Sequence, residues 1–349
     1  MELNFRSDNE SPAAPEIFAA LAAANHGSAW SYAEDRLSLQ LDAAFTTLFG
    51  TPTTVLPLST GTAANSIALA TVTPPWGSVF CHTGAHIVSD EGGAPEFFGN
   101  GLRLVGVAGA NGKLQAASLQ DAVQRHTGHG IHSYQPTALS LTQSSEAGTV
   151  YTAEEVSDLC ASAHRLGLVT HMDGARFANA VVALGCSPAA TTWQAGVDLL
   201  SFGASKNGCL AAEALLIFGD NAWQARAERL RKRSGHLLSK MRYVAAQLLA
   251  YIEQDLWLRL AAHANRQAAR FAAAVERHPT AALEYSVDAN EVFVRWNQAG
   301  FDALSAAGIQ FLGWPGRDDL ARFVFSHATP EQETTVLCDT LLALTGEVP

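Results

Sequence analysis

The sequence predicts an α/β fold: a mostly parallel central sheet with helices on both faces, plus a smaller C-terminal α+β domain. Three observations carry this expectation. Short apolar, β-rich runs alternate with helical patterns through the first two thirds of the chain, which is the signature of strands linked by crossover helices. Ala and Gly are abundant and aromatic residues make up only 8%, a composition suited to close helix–sheet packing. Apolar residues reach 48% against 16% charged over 349 residues, enough for a large core and too apolar for a disordered chain.

The elements follow in order. Runs dense in Val, Leu, Ile and Phe at 54–58, 78–81, 102–107, 138–142, 168–172, 199–202 and 214–218 are the candidate strands. Amphipathic stretches such as 118–125 and 153–166 lie between several of them. From residue 221 to about 276 the chain is nearly free of Gly and rich in Arg and Ala, and is expected to be helical. Two shorter strands at 291–296 and 321–325 and a last helix at 331–344 complete the chain. A large domain is expected over 1–240 and a small one over 241–349, with the N-terminal segment packing on the latter. The length allows about two domains.

Charge and cysteine content exclude several functions. A net charge of −11 does not suit a nucleic-acid surface, although one local pocket can still oppose the global sign and take an anion. Five scattered cysteines without a C-x-x-C pair read as reduced thiols of a cytoplasmic protein, with neither a disulfide frame nor a zinc site expected. The start, MELNFRSDNE, lacks a charged-then-apolar leader pattern, and no apolar run reaches the roughly 18 residues of a membrane span. A glycine-rich dinucleotide fingerprint is missing, which disfavours a nicotinamide dehydrogenase.

Candidate chemistry begins with the lysines, of which there are four: Lys113, Lys206, Lys232 and Lys240. Lys113 lies in an Asn-Gly-Lys turn, and Lys232 and Lys240 lie in the Arg-rich helical stretch. Lys206 alone follows an apolar strand, amid Ser201-Phe202-Gly203-Ala204-Ser205-Lys206-Asn207-Gly208. Strand C-terminal ends are where an α/β fold places its ligand crevice, and burial there favours a nucleophilic amine. An exposed loop lysine is the alternative. Asp173 ends the strand before it; an acid at that place can keep a pyridine nitrogen protonated, or can merely cap the following helix. Ser59-Thr60-Gly61-Thr62, between a strand and an apolar helix, can cradle a phosphate on backbone N–H groups, or can be ordinary capping.

With these pieces in order, the chain resembles the threonine aldolases, pyridoxal-phosphate lyases of the aspartate-aminotransferase fold (PLP fold type I). The resemblance covers nearly the whole length. It rests on Phe5-Arg6-Ser7-Asp8, Tyr32-Ala33-Glu34-Asp35, Thr60-Gly61-Thr62-Ala63-Ala64-Asn65, Ala85-His86-Ile87 with Glu91-Gly92-Gly93, Asp173-Gly174-Ala175-Arg176 and Ser205-Lys206. It implies that Lys206 carries pyridoxal 5'-phosphate, that Asp173 pairs with the ring nitrogen and that Arg176 bonds the ring's phenolic oxygen. Gly61 and Thr62 would bind phosphate, and His86 would stack on the ring near the substrate's β-hydroxyl. Ser7 and Arg322 would grip the substrate carboxylate, a planar guanidinium being suited to that bidentate task. Arg231 would reach a neighbouring subunit's phosphate, with Arg229 and Arg233 as competitors. His86 as a satisfied loop histidine and Arg322 as an edge-strand surface charge are the bland alternatives.

The implied reaction is aldol cleavage of L-β-hydroxy-α-amino acids (L-threonine, L-allo-threonine, phenylserine) to glycine and an aldehyde, in a homo-oligomer, a dimer of dimers, with shared sites. Where many members read E-N-T-H-N, this chain reads Ser140-Leu141-Thr142-Gln143-Ser144. Gln143 is thus expected at the substrate in place of a second histidine. It cannot act as a base, so either His86 with a water takes the hydroxyl proton or the substrate is bulkier than usual. β-Elimination or transamination on the same fold, and a non-catalytic aminotransferase-like binding module, remain as other readings.

Overall fold

The computed structural model describes residues 2–219 and 222–344. The chain opens with a two-residue strand, β1 (Leu3–Asn4), and then builds seven strands: β2 (Thr53–Leu58), β3 (Gly77–His82), β4 (Arg103–Val107), β5 (Gln135–Thr142), β6 (Val169–Gly174), β7 (Leu199–Gly203) and β8 (Glu213–Phe218). They form one sheet in the order β2-β8-β7-β6-β5-β3-β4. Pairing is parallel from β7 through β6, β5 and β3 to β4, whereas β8 runs antiparallel to both β7 and β2. The reason is connection length: segment 204–212 between β7 and β8 is too short for the crossover that a parallel return needs.

The central strands of this sheet are buried on both faces, and adjacent residues divide between them. Leu199, Leu215 and Ile217 belong to the cluster under helix Gly61–Val72, while Leu200, Leu216 and Phe202 pack with Phe45, Phe177 and Trp257 on the other face. That alternation is the period-2 geometry of a strand, and burial on both faces explains why these strands read as continuous apolar runs.

The expected helical stretch, whose first residue, 221, lies outside the described residues, is divided among three helices. They are Gln224–Arg233, Arg242–Ile252 and Leu256–Arg277. Gly235, with φ +82°, breaks the first from the second, and the left-handed Gln254 and Asp255 separate the second from the third. The C-terminal part adds β9 (Ala282–Leu283), β10 (Glu291–Arg295), β11 (Ile309–Gln310), β12 (Leu312–Trp314) and β13 (Arg317–Val324). Four of them make an antiparallel sheet ordered β12-β13-β10-β9, packed with helices Leu256–Arg277 and Glu331–Ala343 around Phe271, Phe323 and Leu337. β1 pairs in parallel with β11, Leu3 opposite Ile309, so the N-terminal segment joins this C-terminal layer.

Candidate active site

The C-terminal ends of the parallel strands gather at one cavity of about 320 Å³, lined among others by Thr60, Gly61, Thr62, His86, Asp173 and Lys206. A second cavity of about 440 Å³ shares His86 and Lys206 and continues to Ser7, Glu146, Arg176 and Arg322. A larger cavity, about 660 Å³, lies between His26, Arg36 and Glu253 and contains none of these groups.

Two glycines set the spacing of the central pair. A β-carbon at Gly203 would lie 2.5 Å from the Ala175 carbonyl oxygen, and one at Gly174 would lie 2.7 Å from the Ser201 carbonyl oxygen. Only glycine permits this approach of the strand ends that carry Asp173 and Lys206. Lys206 itself lies in the tight helical turn Ser205–Asn207 and makes no hydrogen bond or ion pair among the described residues. Beneath it Glu213 is buried and accepts the Ala204 and Ser205 amides at 3.1 and 3.3 Å; burial, outweighing these bonds, pushes its carboxyl up to about 7.

Asp173 is 3% exposed. Its Oδ1 accepts the Ala175 amide at 3.0 Å, and its Oδ2 accepts from Asn65 Nδ2 at 2.9 Å. Helix Phe177–Leu184 has no side-chain cap, so Asp173 is not a helix cap. Asn65 also donates to Glu91 Oε1 at 2.8 Å, and the same oxygen meets His86 Nδ1 at 2.9 Å. A continuous line of hydrogen bonds therefore runs His86–Glu91–Asn65–Asp173. The Glu91 bond, helped by Glu146 and Asp173 and opposed by burial and Lys206, raises the His86 pKa.

At the other end, Thr60 caps helix Gly61–Val72, its side chain accepting the Ala63 amide at 3.2 Å. The position beside the Gly61 Cα is open space. His236 bonds Ser59 at 3.2 Å, bringing an imidazole to this rim that the sequence did not single out.

Arg176 is held hard. Its Nε and one terminal nitrogen donate to Asp8 at 2.7 and 3.0 Å, and its other terminal nitrogen lies 3.2 Å from Glu291. Burial works against ionisation of Asp8, yet Arg176, Lys206 and the hydrogen bonds from Arg176 and Asn290 hold its carboxyl below the usual carboxylate range. Glu291 also meets Arg322 at 3.3 Å, so Asp8, Arg176, Glu291 and Arg322 form a chain of alternating charge. Arg322 is mostly buried, with its Nε unpartnered, and lines the cavity with Ser7; it is not an exposed surface charge.

The structure thus brings Lys206, Asp173, Gly61, Thr62, His86, Arg176, Ser7 and Arg322 together, and leaves two expected residues out. Gln143 is fully buried and lines neither cavity; its amide clamps the Tyr151 backbone, donating to the carbonyl at 2.9 Å and accepting the amide at 3.0 Å. The side chain that reaches the cavity from this turn is Glu146. Arg231 is 8% exposed, packed inside its own chain on the same helix face as Ala227, whereas Arg229 and Arg233 are exposed. Asp8, Asn65, Glu91, Glu146, Glu213 and Glu291 are site residues for which no role was expected.

A family model described as beta-eliminating lyase matches residues 4–299. The chain is 42% identical to a low specificity L-threonine aldolase of Pseudomonas aeruginosa over 93% of each chain, and 39% identical to one of another Pseudomonas over 97% of each. Among solved structures, a threonine aldolase of Leishmania major superposes with a TM-score of 0.92 at 27% identity, covering 99% of this chain and 100% of that one. An aspartate aminotransferase of Rhodobacter sphaeroides superposes with a TM-score of 0.73 at 18% identity over 99% and 93%, which shows the shared fold.

Proposed function

Because the chain belongs to the beta-eliminating lyase family, and within it to the pyridoxal-phosphate-dependent threonine aldolases, we propose that the joined cavities at Lys206 are where it cleaves L-β-hydroxy-α-amino acids to glycine and an aldehyde. The observation that supports this site above all is the meeting of an unpaired lysine, a buried aspartate and an open helix N-terminus at the same strand ends.

These residues fit pyridoxal phosphate. Open space beside Gly61 and the free amides of a helix start suit a phosphate group. Buried Asp173 suits a protonated ring nitrogen, and Lys206 suits the cofactor's aldehyde. The bound cofactor supplies a ring that withdraws the electron pair released when the Cα–Cβ bond breaks.

The protein's own groups do the rest. Asp173, oriented by Asn65 and the Ala175 amide, places a negative charge where the ring nitrogen must stay protonated. Arg322 and Ser7 take the substrate carboxylate; Glu291 steadies the guanidinium and leaves its Nε free. Fixing the carboxylate and the amine together would restrict the orientation of the Cα–Cβ bond. Arg176 donates two of its five N–H groups to Asp8 and lies 3.2 Å from Glu291, so N–H groups remain for the ring's oxygen. His86, its Nδ1 fixed by Glu91, offers Nε2 toward the β-hydroxyl. Leu312, Trp314 and Pro315 form an apolar wall of the second cavity, which supports acceptance of bulky β-substituents such as the phenyl of phenylserine.

The assembly we propose is a homo-oligomer, a dimer of dimers, supported by the exposed Trp30, Leu39, Phe97 and Leu210, the last of which lines the cavity rim. A cytoplasmic setting is supported by five free cysteines; among the described residues no helix is long and apolar enough to cross a membrane.

The test is product analysis with the purified holoenzyme on L-threonine, L-allo-threonine, their D forms and L-phenylserine. Equimolar glycine and aldehyde from the L forms is the expected result. Ammonia with a keto acid would assign the site to elimination instead.

A further inference from the structure

The turn after β5 is fixed along its length and presents one carboxylate to the cavity. Gln143 clamps Tyr151 as described, the Ser145 amide donates to the Thr149 carbonyl at 2.8 Å, and the Gly148 amide donates to the Ser145 carbonyl at 2.9 Å. The Ser145 and Thr149 hydroxyls meet at 2.7 Å, and Thr149 Oγ1 donates to the Asn111 carbonyl at 2.7 Å. Within 143–151 every residue is buried except Glu146, which is half-buried and lines the cavity beside His86, Lys206 and Arg322.

Glu146 accepts no hydrogen bond from any described residue. The other carboxylates at the site are taken. Asp173 and Glu91 are held by Asn65, Glu213 by two backbone amides, Asp8 and Glu291 by Arg176, and Asp90 by Ser89 at 2.6 Å. A rigid turn therefore offers the substrate one uncommitted carboxylate.

We propose that Glu146 is a catalytic residue, the general base that takes the β-hydroxyl proton of the bound substrate; this rests on the threonine-aldolase reading of the site. The O–H bond breaks and its proton passes to the Glu146 carboxylate. The O–H electron pair becomes the aldehyde π bond, and the cofactor, held by Lys206 and Asp173, would accept the Cα–Cβ pair. Cα then takes one proton from Lys206, and Glu146 returns its own to Lys206, so no net proton is gained or lost. His86 is the rival base, but its Nδ1 is already engaged with Glu91 Oε1 at 2.9 Å, whereas Glu146 has no such partner among the described residues. Burial, with Glu291 and Asp173, pushes the Glu146 carboxyl up against the pull of Lys206 and Arg176, which strengthens its carboxylate as a base.

The experiment compares two reactions of the holoenzyme: cleavage of L-threonine, and exchange of glycine's α-hydrogen with deuterated solvent, followed by NMR. Glycine has no hydroxyl, so exchange needs Lys206 and Asp173 but no hydroxyl base. Glu146→Gln should keep the cofactor's visible absorbance and exchange within about threefold, while cleavage kcat falls roughly 10²- to 10⁴-fold. Glu146→Asp, which keeps a carboxylate, should recover part of that loss. Parallel loss of exchange and cleavage in Glu146→Gln, or cleavage within about threefold of wild type, would overturn the assignment. A wild-type protein that performs neither reaction would instead remove the aldolase reading, and the base with it.

Discussion

Asp8→Asn tests how the site is held together. Asp8 is 2% exposed and lies beside Ser7 in the N-terminal segment, while its partner Arg176 is 6% exposed and follows β6. The substitution keeps the shape and one acceptor oxygen but removes the charge behind two hydrogen bonds, at 2.7 and 3.0 Å. Removing one partner of a buried ion pair costs about 3–5 kcal/mol, because the other charge is left uncompensated. Arg176 would still have Glu291 at 3.2 Å, which puts the expected loss near the lower end, about 3 kcal/mol. That is a large share of the roughly 5–15 kcal/mol by which domains are stable. Urea unfolding of the apo-protein should show it as a lower midpoint at unchanged slope. Arg6→Ala, which breaks the exposed Arg6–Glu10 pair, is the control and should cost no more than about 1 kcal/mol. Because Asp8 also anchors the segment that carries Ser7, the KM for L-threonine should rise more than kcat falls. An Asp8→Asn protein within about 1 kcal/mol of wild type would mean that Arg176 does not depend on Asp8 for its charge balance.

Two further outcomes follow from the same geometry. Asp173→Asn keeps an oxygen for Asn65 to bond but loses the charge proposed to face the ring nitrogen; turnover should fall about a hundredfold or more, some 2.7 kcal/mol of barrier, while visible absorbance persists, and near-normal turnover would make Asp173 purely structural. Glu213, pushed up to about 7 from an ordinary 4.5, holds its proton better folded than unfolded; its contribution to stability is therefore present below pH 4.5 and lost as pH rises through 7. Relative to Glu213→Gln, wild-type apo-protein should lose roughly 3 kcal/mol of unfolding free energy between pH 4.5 and 8, and equal pH slopes for the two proteins would contradict the shift.

The sheet was legible because strands buried on both faces must be apolar throughout, and each of the seven runs fell on an observed strand. The antiparallel sense of β8 was not read, since it follows from the shortness of segment 204–212 rather than from its residues. The breaks at Gly235 and at Gln254–Asp255 were hidden by the strong helical composition around them. At the site, Lys206, Asp173 and Gly61 were visible because a polar or small residue closing an apolar strand is a local pattern. The pairing roles of Asp8, Glu291 and Asn65 were not, because the partners are 168, 115 and 108 positions away and no local spacing announces them. Gln143 was misplaced because a position in the sequence does not say which side of a turn faces the cavity; the clamp on Tyr151 turns Gln143 inward and leaves Glu146 at the opening. Arg231 carried a readable warning: it lies four residues after Ala227, on the face that the helix buries.

Lys206, and not Lys113, Lys232 or Lys240, is the lysine proposed to carry the cofactor at the strand ends. Borohydride reduction of the holoenzyme, followed by proteolysis and mass spectrometry, tests it most directly. One pyridoxyl adduct is expected, on the peptide containing Ser205-Lys206-Asn207. An adduct on another lysine, or a holoenzyme that gives none, would contradict it.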